Sequence, residues 1–191
     1  EVAAPTTEPV TLAEARLWCR IDDDDTTQDA VLLLLIRAAR ERAEFLTGRK
    51  FARRQIELRL DAFPDDVFEL PYPPLYTLDS ITYRTGDADV VISGSPEGWV
   101  LDVGGDQTPA RVAPVDSWPA TDDIPAAVRI RYTVGYASAT AMPALLRQWM
   151  QARVSTWYEQ REHLAMGSVN ALPRDFVDGL LDGLRAVQMF A

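Results

Sequence analysis

The stretch from residue 22 to residue 51 places the strongest constraint on the fold, because it has the pattern of one long helix that carries unusually many apolar residues. Four aspartates and two threonines precede an unbroken apolar run from Val31 to Ile36. Thr26 followed by Asp29 resembles a capping box, the acids suit the positive end of a helix dipole, and Gly48 is a typical helix stop. The stretch therefore predicts a helix that ends at Thr47 and Gly48, with one apolar stripe at positions 32, 35, 39, 43 and 46.

The first two turns of this helix are apolar on nearly every side. Leu33, Leu34 and Ile36 fall outside the stripe, and a helix of this kind must be covered on more than one side. Two interpretations stay open. The helix is either a central core helix of its own subunit, or a neighbouring subunit supplies part of its cover.

The middle of the chain changes to the two-residue period of half-buried strands. Glycine and proline turns separate the apolar segments, and this spacing favours an antiparallel sheet or a small β-sandwich. Residues 106–125 contain four prolines and are predicted to be loop. The predicted strands are 56–60, 67–70, 81–84, 90–92, 99–101 and 128–134.

Helical spacing returns at Pro143, a suitable first helical residue, and predicts a helix to about residue 164. A last helix is predicted to open at Pro173, although Gly179 and Gly183 each weaken it by about 1 kcal/mol. Because such a helix is stabilised by docking, the C-terminus is predicted either to contact a partner or to pack closely on its own domain. Residues 11–20 carry a further capping box, Thr11 to Glu14, and a short helix.

The fold class predicted from these elements is α+β. A helical bundle of N-terminal and C-terminal helices, residues 11–51 and 142–191, holds an inserted antiparallel β-rich segment at 53–135. Residues 1–191 are expected to form a single domain, with residues 1–10 as an extended arm.

Charge argues against a protein that binds nucleic acid by neutralising phosphates, because the 191-residue chain has a formal net charge of −10. Residues 52–140 carry 14 acidic and 7 basic side chains, so the acidic excess is concentrated there. The excess indicates either solubility or a surface that repels another polyanion. No apolar run approaches the roughly 20 residues of a membrane helix, and residues 1–10 do not resemble a signal peptide, so we expect no membrane association and a cytoplasmic setting.

Catalytic and metal motifs are missing from the sequence. Cys19 is the single cysteine and His163 the single histidine, which excludes thiolate zinc sites and histidine clusters. An EF-hand that began at Asp22 would need glycine and glutamate where Thr27 and Leu33 stand. We predict no catalytic residue, no cofactor and no metal site.

Two segments carry a resemblance to a known family. The first, from Leu32 to Arg49, reads L-x-x-L-I-x-A-A-R-x-x-A-E-x-x-T-G-R after the aspartate-rich turn. The second begins with Y-x-V-G-Y at Tyr132 and M-P-x-L-L at Met142, and continues with W-Y-x-x-R-E at Trp157 and the final leucines before Arg185. In this order they resemble the head–tail connector (adaptor) proteins of tailed bacteriophages, the HK97 gp6-like and phiE125 gp8-like group. The acidic β-rich middle, from about residue 53 to residue 134, departs from the smaller members.

The resemblance implies a structural protein of the virion, assembled in the host cytoplasm. It implies a ring of about twelve copies that attaches beneath the portal protein, receives a stopper or tail-completion protein, and continues the DNA channel without specific DNA binding. Ring subunits need two different contacting faces. The candidate subunit or partner contacts are apolar residues on the long helix and the C-terminal helices: Leu33, Leu34, Ile36, Trp149, Trp157, Phe176, Leu180, Leu181 and Leu184.

A second function class also fits the sequence. A non-enzymatic binding module could use the β-rich insert to recognise a ligand or receptor, with Trp99, Trp118 or Tyr72 as the platform. An enzyme is the third class, and the missing motifs argue against it.

Overall fold

The computed structural model describes residues 2, 4, 5, 7–94, 98–160 and 178–187. Its chain forms two compact units. The helical unit consists of Thr7–Ala52 and Ser138–Arg185, and the sheet unit consists of Glu1–Thr6, Arg53–Ala137 and Ala186–Ala191.

Within the described residues, the helical unit has three α-helices that contact one another. They are α1 (Leu12–Trp18), α2 (Asp29–Thr47) and α3 (Ala144–Glu159), with 3-10 segments at Ala139–Ala141 and Asp178–Leu184. The core between them is fully buried and mostly aliphatic, with one large aromatic side chain; it includes Leu32, Ile36, Ala39, Leu146, Trp149, Met150 and Val154. None of the described helices has the length and apolar content that crossing a membrane requires.

The ends of α1 and α2 follow from local hydrogen bonds. Thr11 and Glu14 form the predicted capping box, since the Glu14 amide donates to Thr11 Oγ1 at 3.2 Å and the Thr11 amide donates to Glu14 Oε2 at 2.8 Å. The predicted Thr26–Asp29 box is wrong, because the N-cap of α2 is Gln28 and its side chain makes no capping hydrogen bond. Gly48 ends α2 in the left-handed conformation, φ 68°, which glycine adopts without steric cost.

A cluster of buried charged side chains lies on the core-facing side of α2. Arg40 lies one helical turn before Glu44, with 3.3 Å between the guanidinium and the carboxylate, and both side chains are almost fully buried. Glu8 also pairs with Arg40 at 2.8 Å. The second oxygen of Glu44 accepts hydrogen bonds from the main-chain amides of Phe51 and Ala52, at 3.1 and 3.5 Å. One carboxylate therefore ties the helix to the chain that leaves it.

The sheet unit contains two antiparallel sheets. The four-stranded sheet has the order β1-β7-β3-β4 and the three-stranded sheet has the order β2-β6-β5. Their strands are β1 (Arg54–Leu60), β2 (Phe68–Leu70), β3 (Leu75–Thr85), β4 (Ala88–Ile92), β5 (Trp99–Asp102), β6 (Ala110–Pro114) and β7 (Val128–Val134).

The alternation of β7 sets the two faces of the four-stranded sheet. Val128, Ile130 and Tyr132 are fully buried, and Arg129 and Arg131 lie on the opposite face. The phenol of Tyr132 donates a hydrogen bond to the Pro71 carbonyl at 3.2 Å, and its burial raises the pKa of that phenol. The apolar face of this sheet belongs to the same core as Phe68, Leu70 and Val112 of the three-stranded sheet.

The structure corrects the predicted fold class. The protein is α+β, but it is not a bundle of N-terminal and C-terminal helices with an inserted β-rich segment, because strands account for 27% of it against 31% helix and form two antiparallel sheets. Among the described residues the chain after α3 contains a 3-10 segment at Asp178–Leu184 and no α-helix. Gly179 and Gly183, which disfavour α-helix, account for that difference. The predicted helix end near residue 164 and the helix start at Pro173 lie outside the described residues.

Strands lie at all six predicted positions, and one more was missed. Residues 106–125, predicted to be loop, contain β6, the central strand of the three-stranded sheet. Its last residue is Pro114, which pairs with Trp99, the first residue of β5.

The ion cluster predicts a sharp contrast between two glutamates that both approach Arg40. Glu44→Ala should lower the free energy of unfolding by about 3 kcal/mol, because it leaves the Arg40 guanidinium buried without its carboxylate inside the helix. Glu41 lies 3.5 Å from the same guanidinium, but its side chain is 62% exposed. Glu41→Ala should change the free energy by only about 0.5 kcal/mol. Urea unfolding followed by circular dichroism measures the free energy of unfolding of both variants. Equal losses would show that the buried Glu44 carboxylate contributes no more than the exposed Glu41 carboxylate.

Candidate interface surfaces

The outward face of α2 carries the apolar residues that its own subunit leaves uncovered. Leu33 is 51% exposed, Leu34 63% and Phe45 77%, and Val31 at the start of the helix is also exposed. Leu34 and Phe45 are eleven residues apart, about three helical turns, so they lie on nearly the same line of the helix. That line is opposite to the buried residues Leu32, Ala39 and Ala43. Leu33 and Val31 lie off that line, on either side of it, so the exposed apolar residues cover a broad arc of the helix start. We call Val31, Leu33, Leu34 and Phe45 together the α2 face.

A second exposed apolar surface lies at the end of α1. Leu17 is 75% exposed, and Trp18 beside it is also exposed. Arg16 holds the following acidic turn in place, with hydrogen bonds to the Asp29 carboxylate at 2.6 Å and to the Asp23 carbonyl at 2.9 Å. The position of Leu17 and Trp18 is therefore fixed on both sides, by the helix and by this turn. We call these two residues the α1 end.

The acidic turn itself is a local structure. Asp25 accepts hydrogen bonds from the side chain and the main-chain amide of Thr27, at 2.6 and 2.9 Å, and these bonds lower the pKa of its carboxyl group. Within the described part of the chain, no three histidine, cysteine, aspartate or glutamate side chains are grouped closely enough to hold a metal ion.

The predicted contact residues separate into different environments. Leu33 and Leu34 are exposed, and Leu180 and Trp157 are partly buried. Ile36, Trp149, Leu181 and Leu184 lie in the core of the helical unit. Phe176 lies outside the described residues. Sequence reasoning did not select Phe45 or Leu17, although Phe45 falls outside the apolar stripe predicted for its helix.

The last described segment is attached to the helical unit through Arg49. Its guanidinium donates a hydrogen bond to the Leu184 carbonyl at 3.1 Å and stacks over the Phe51 ring, with 5.0 Å between the guanidinium carbon and the ring centroid. Leu181 and Leu184 are buried beside this contact. The segment is thus held both by apolar burial and by a charge-assisted hydrogen bond.

The outward face of the four-stranded sheet is covered by paired charges. Glu57 on β1 accepts hydrogen bonds from Arg131 on β7 and from Arg59, both at 2.7 Å. Asp89 on β4 pairs with Arg129 on β7. These arginines are therefore neutralised by carboxylates of their own sheet. The bonds from Arg131, and then those from Arg59, lower the pKa of the Glu57 carboxyl group.

The aromatic residues suggested as a ligand platform are used for packing. Trp118 stacks on Phe63, with ring centroids 4.6 Å apart, and donates its indole N–H to the Asp66 carbonyl at 2.7 Å. Trp99 packs against the core of the sheet unit. Tyr72 is exposed, but the two tryptophans have structural roles. This arrangement gives the binding-module alternative little support.

Known proteins were compared with the whole chain. The family of phage gp6-like head–tail connector proteins matches residues 9–84, a range that covers α1, α2 and the strands up to β3. A chain in the neck of an empty gene transfer agent (GTA) particle, computed with C6 symmetry, is similar over 100% of this chain and 96% of that chain, with 26% sequence identity and a TM-score of 0.78. A chain in the virion of a native GTA particle has 27% identity and a TM-score of 0.78 over the same coverage. A chain in the neck of a native GTA particle, computed with C12 symmetry, has 25% identity and a TM-score of 0.73. No curated protein sequence matches the chain.

The ion pairs of Glu57 with Arg131 and Arg59 predict how stability responds to acid. The lowered pKa of Glu57 means that its ion pairs stabilise the folded state above its ordinary pKa of 4.5, and that this stability is lost as the pH falls through the lowered value. Glu57→Gln should therefore be less stable than wild type at pH 7, and the difference should shrink below about pH 4. Urea unfolding across this pH range measures it. Gln55→Glu gives the opposite case on the same face, because the Gln55 amide donates to the Asp79 carboxylate at 2.9 Å and a glutamate there would repel it, so its destabilisation should fall as the pH falls. A pH-independent difference for Glu57→Gln would contradict the assignment.

Proposed function

We propose that this chain is a head–tail connector protein of the phage gp6-like type and one subunit of a ring in the neck of a phage-like particle. The resemblance predicted from the sequence is confirmed. The observation that carries the proposal is the match, over the full length of the chain, to proteins in the necks of GTA particles. Those necks were computed with C6 and C12 symmetry, and we infer a ring of about twelve copies.

The ring proposal assigns a role to the exposed apolar residues of the helical unit. A closed ring joins two different surfaces of neighbouring subunits, head to tail. The α2 face and the α1 end are two such surfaces, and both consist of large apolar side chains that the described residues leave at least one-third exposed. We infer that they contact neighbouring subunits, so that burial in the ring replaces exposure to water.

The remaining partners follow from the position of a connector. We propose that residues 1–191 act as one connector domain, that the ring attaches beneath the portal protein, and that it receives a stopper or tail-completion protein. Assembly in the host cytoplasm and location at the head–tail interface of the virion belong to the same proposal. A structural role without catalysis or cofactor agrees with the structural description of the family.

The charge of the chain suits a channel through which DNA passes without being held. The net charge is −10, and three arginines on the outward face of the sheet, Arg59, Arg129 and Arg131, pair with carboxylates. Phosphate binding depends on unpaired cationic side chains that release counterions. We infer that DNA passes this ring without specific binding.

The decisive experiment tests whether the protein binds to capsids that carry a portal. Portal-bearing capsids that lack tails are incubated with the full-length chain, and the particles are separated from free protein by sedimentation. We expect the chain to sediment with the capsids and to add a ring below the portal in electron micrographs. Capsids that acquire tails in the complete absence of this protein would refute the proposed function.

The α2 face predicts a defect in assembly without a defect in folding. Leu33→Asp and Leu34→Asp should change the free energy of unfolding by no more than about 0.5 kcal/mol, because both side chains are already exposed. Either change should lower the amount of chain that joins capsids about tenfold or more, since it introduces a charge where apolar contact is proposed. Leu145→Asp on α3 is the matched control, because Leu145 is similarly exposed but lies outside both surfaces. If all three variants join capsids equally, the α2 face is not an interface.

A further inference from the structure

We propose that neighbouring subunits also join through their sheets, by antiparallel pairing of β4 in one subunit with β1 in the next. This inference rests on the proposed ring and specifies one of its contacts. It concerns main-chain groups at the two edges of the four-stranded sheet, which are separate from the apolar surfaces of the helical unit. The occupant of each edge is a second copy of this chain.

The edge of β4 offers main-chain hydrogen-bonding groups at two positions. β3 and β4 are joined by the two-residue turn Gly86–Asp87, in which both φ angles are positive, 55° and 64°. In such a hairpin the pair next to the turn, Thr85 and Ala88, is hydrogen-bonded, and the pattern alternates from there. Asp89 and Val91 therefore point their N–H and C=O groups away from β3. Arg84, opposite Asp89, agrees with this phase because its own N–H donates to Ala127 on the other side, at 2.8 Å.

The edge of β1 offers the same kind of groups on the other side of the sheet. The Gln55 carbonyl accepts a hydrogen bond from the Val2 amide at 2.9 Å, so the main-chain groups of Gln55 face away from β7. By alternation, those of Glu57 and Arg59 also face the free edge. Among the described residues, no main-chain partner occupies these two positions. Each edge of the sheet therefore has two outward-facing residues available.

Strand direction allows the two edges to meet. Every neighbouring pair in the order β1-β7-β3-β4 is antiparallel, so β4 runs opposite to β1. A second copy that is rotated about an axis roughly along the strands presents its β1 antiparallel to β4 of the first copy. The same contact then repeats from each subunit to the next, as a head-to-tail ring requires.

Charge selects one register. With Asp89 opposite Arg59 of the neighbouring subunit, these opposite charges face each other on the polar side of the joined sheet, in addition to the pairs that Asp89 makes with Arg129 and Arg59 makes with Glu57 in their own sheets. In this register Val91 lies opposite Glu57. A shift of two residues would place Asp89 opposite Glu57, and like charges directly opposite are destabilising. In the favoured register the apolar side also continues, because Val90 and Ile92 lie on the same face of β4 as Leu58 and Leu60 do on β1.

The edge of β4 lacks several of the features that normally prevent pairing. Residues 88–92 contain no proline, no lysine and no bulge, and Val91 is 63% exposed. The hairpin is held in position by Asp122, whose carboxylate accepts hydrogen bonds from the amides of Gly86 and Asp87, at 3.0 and 3.4 Å. A strand edge that is open and fixed in this way is a ready template for another strand.

Paired cysteines test the register in assembled particles. Arg59→Cys and Asp89→Cys are introduced together in a chain that also carries Cys19→Ala, and the joined particles are oxidised. Hydrogen-bonded cross-strand positions have Cα atoms about 5.5 Å apart, within the range of a disulfide. We expect a ladder of covalent multimers on a non-reducing gel. Arg59→Cys with Glu69→Cys is the matched control, because Glu69 is exposed on the other sheet, and it should give no ladder.

A proline at the edge tests the energetic role of the contact. Val91→Pro removes only an N–H that points away from β3, so the subunit should stay folded and the sheet contact should weaken about tenfold. Val91→Ala keeps the N–H and should join capsids like the wild type. This contact is overturned if the wild type forms rings, the 59/89 cysteine pair gives no ladder, and Val91→Pro joins capsids normally. That result would leave the proposed function intact. Failure of the wild-type chain to join capsids would instead refute the ring itself, and this contact with it.

Discussion

The carboxylate of Glu44 is the interaction on which the helical unit depends. It is buried beside Arg40 and also accepts the amides of Phe51 and Ala52. A buried ion pair of this kind contributes little net stability compared with apolar packing, but removing one partner is costly. Its value lies in geometry, since it fixes where α2 stops and in which direction the chain continues. Because Arg40 and Glu44 must face the core, the same interaction also determines which side of α2 is exposed to solvent.

That orientation explains why the buried side of α2 differs from the predicted apolar stripe. The apolar period selected positions 35 and 46, whereas the structure buries Ile36, Arg40, Glu44 and Thr47 in their place. Arg40 reads as a solvated residue in the sequence because its partner Glu8 lies 32 residues earlier, a distance over which periodicity gives no information. The sequence did indicate that the helix has too much apolar surface for one core, and the exposure of Leu33 and Leu34 agrees with that excess.

The strands were more accessible to prediction than the helices at the C-terminal end. Alternation identifies β7 because one face of its sheet is buried and the other is charged. β6 was missed because it lies in a proline-rich segment and ends at Pro114, where composition favours loop. The C-terminal bundle helix was wrong because leucine spacing in residues 180–184 suits either helix type, while two glycines decide against α-helix. Sequence patterns do not show which N–H and C=O groups point outward at a sheet edge. That depends on the position of the turn and on the order of the strands in the sheet.

The two kinds of contact proposed for the ring have complementary physical properties. The apolar surfaces of the helical unit provide association that is strong but not directional, because burial of apolar area has no preferred geometry. Strand pairing contributes less per contact, yet it fixes distance, direction and register through main-chain hydrogen bonds and cross-strand charges. A connector must hold a defined symmetry between two larger assemblies, and weak directional contacts repeated around a ring set such a symmetry more accurately than apolar burial alone. For this reason the outward-facing main-chain groups of β1 and β4 are as informative about assembly as the exposed leucines of α2.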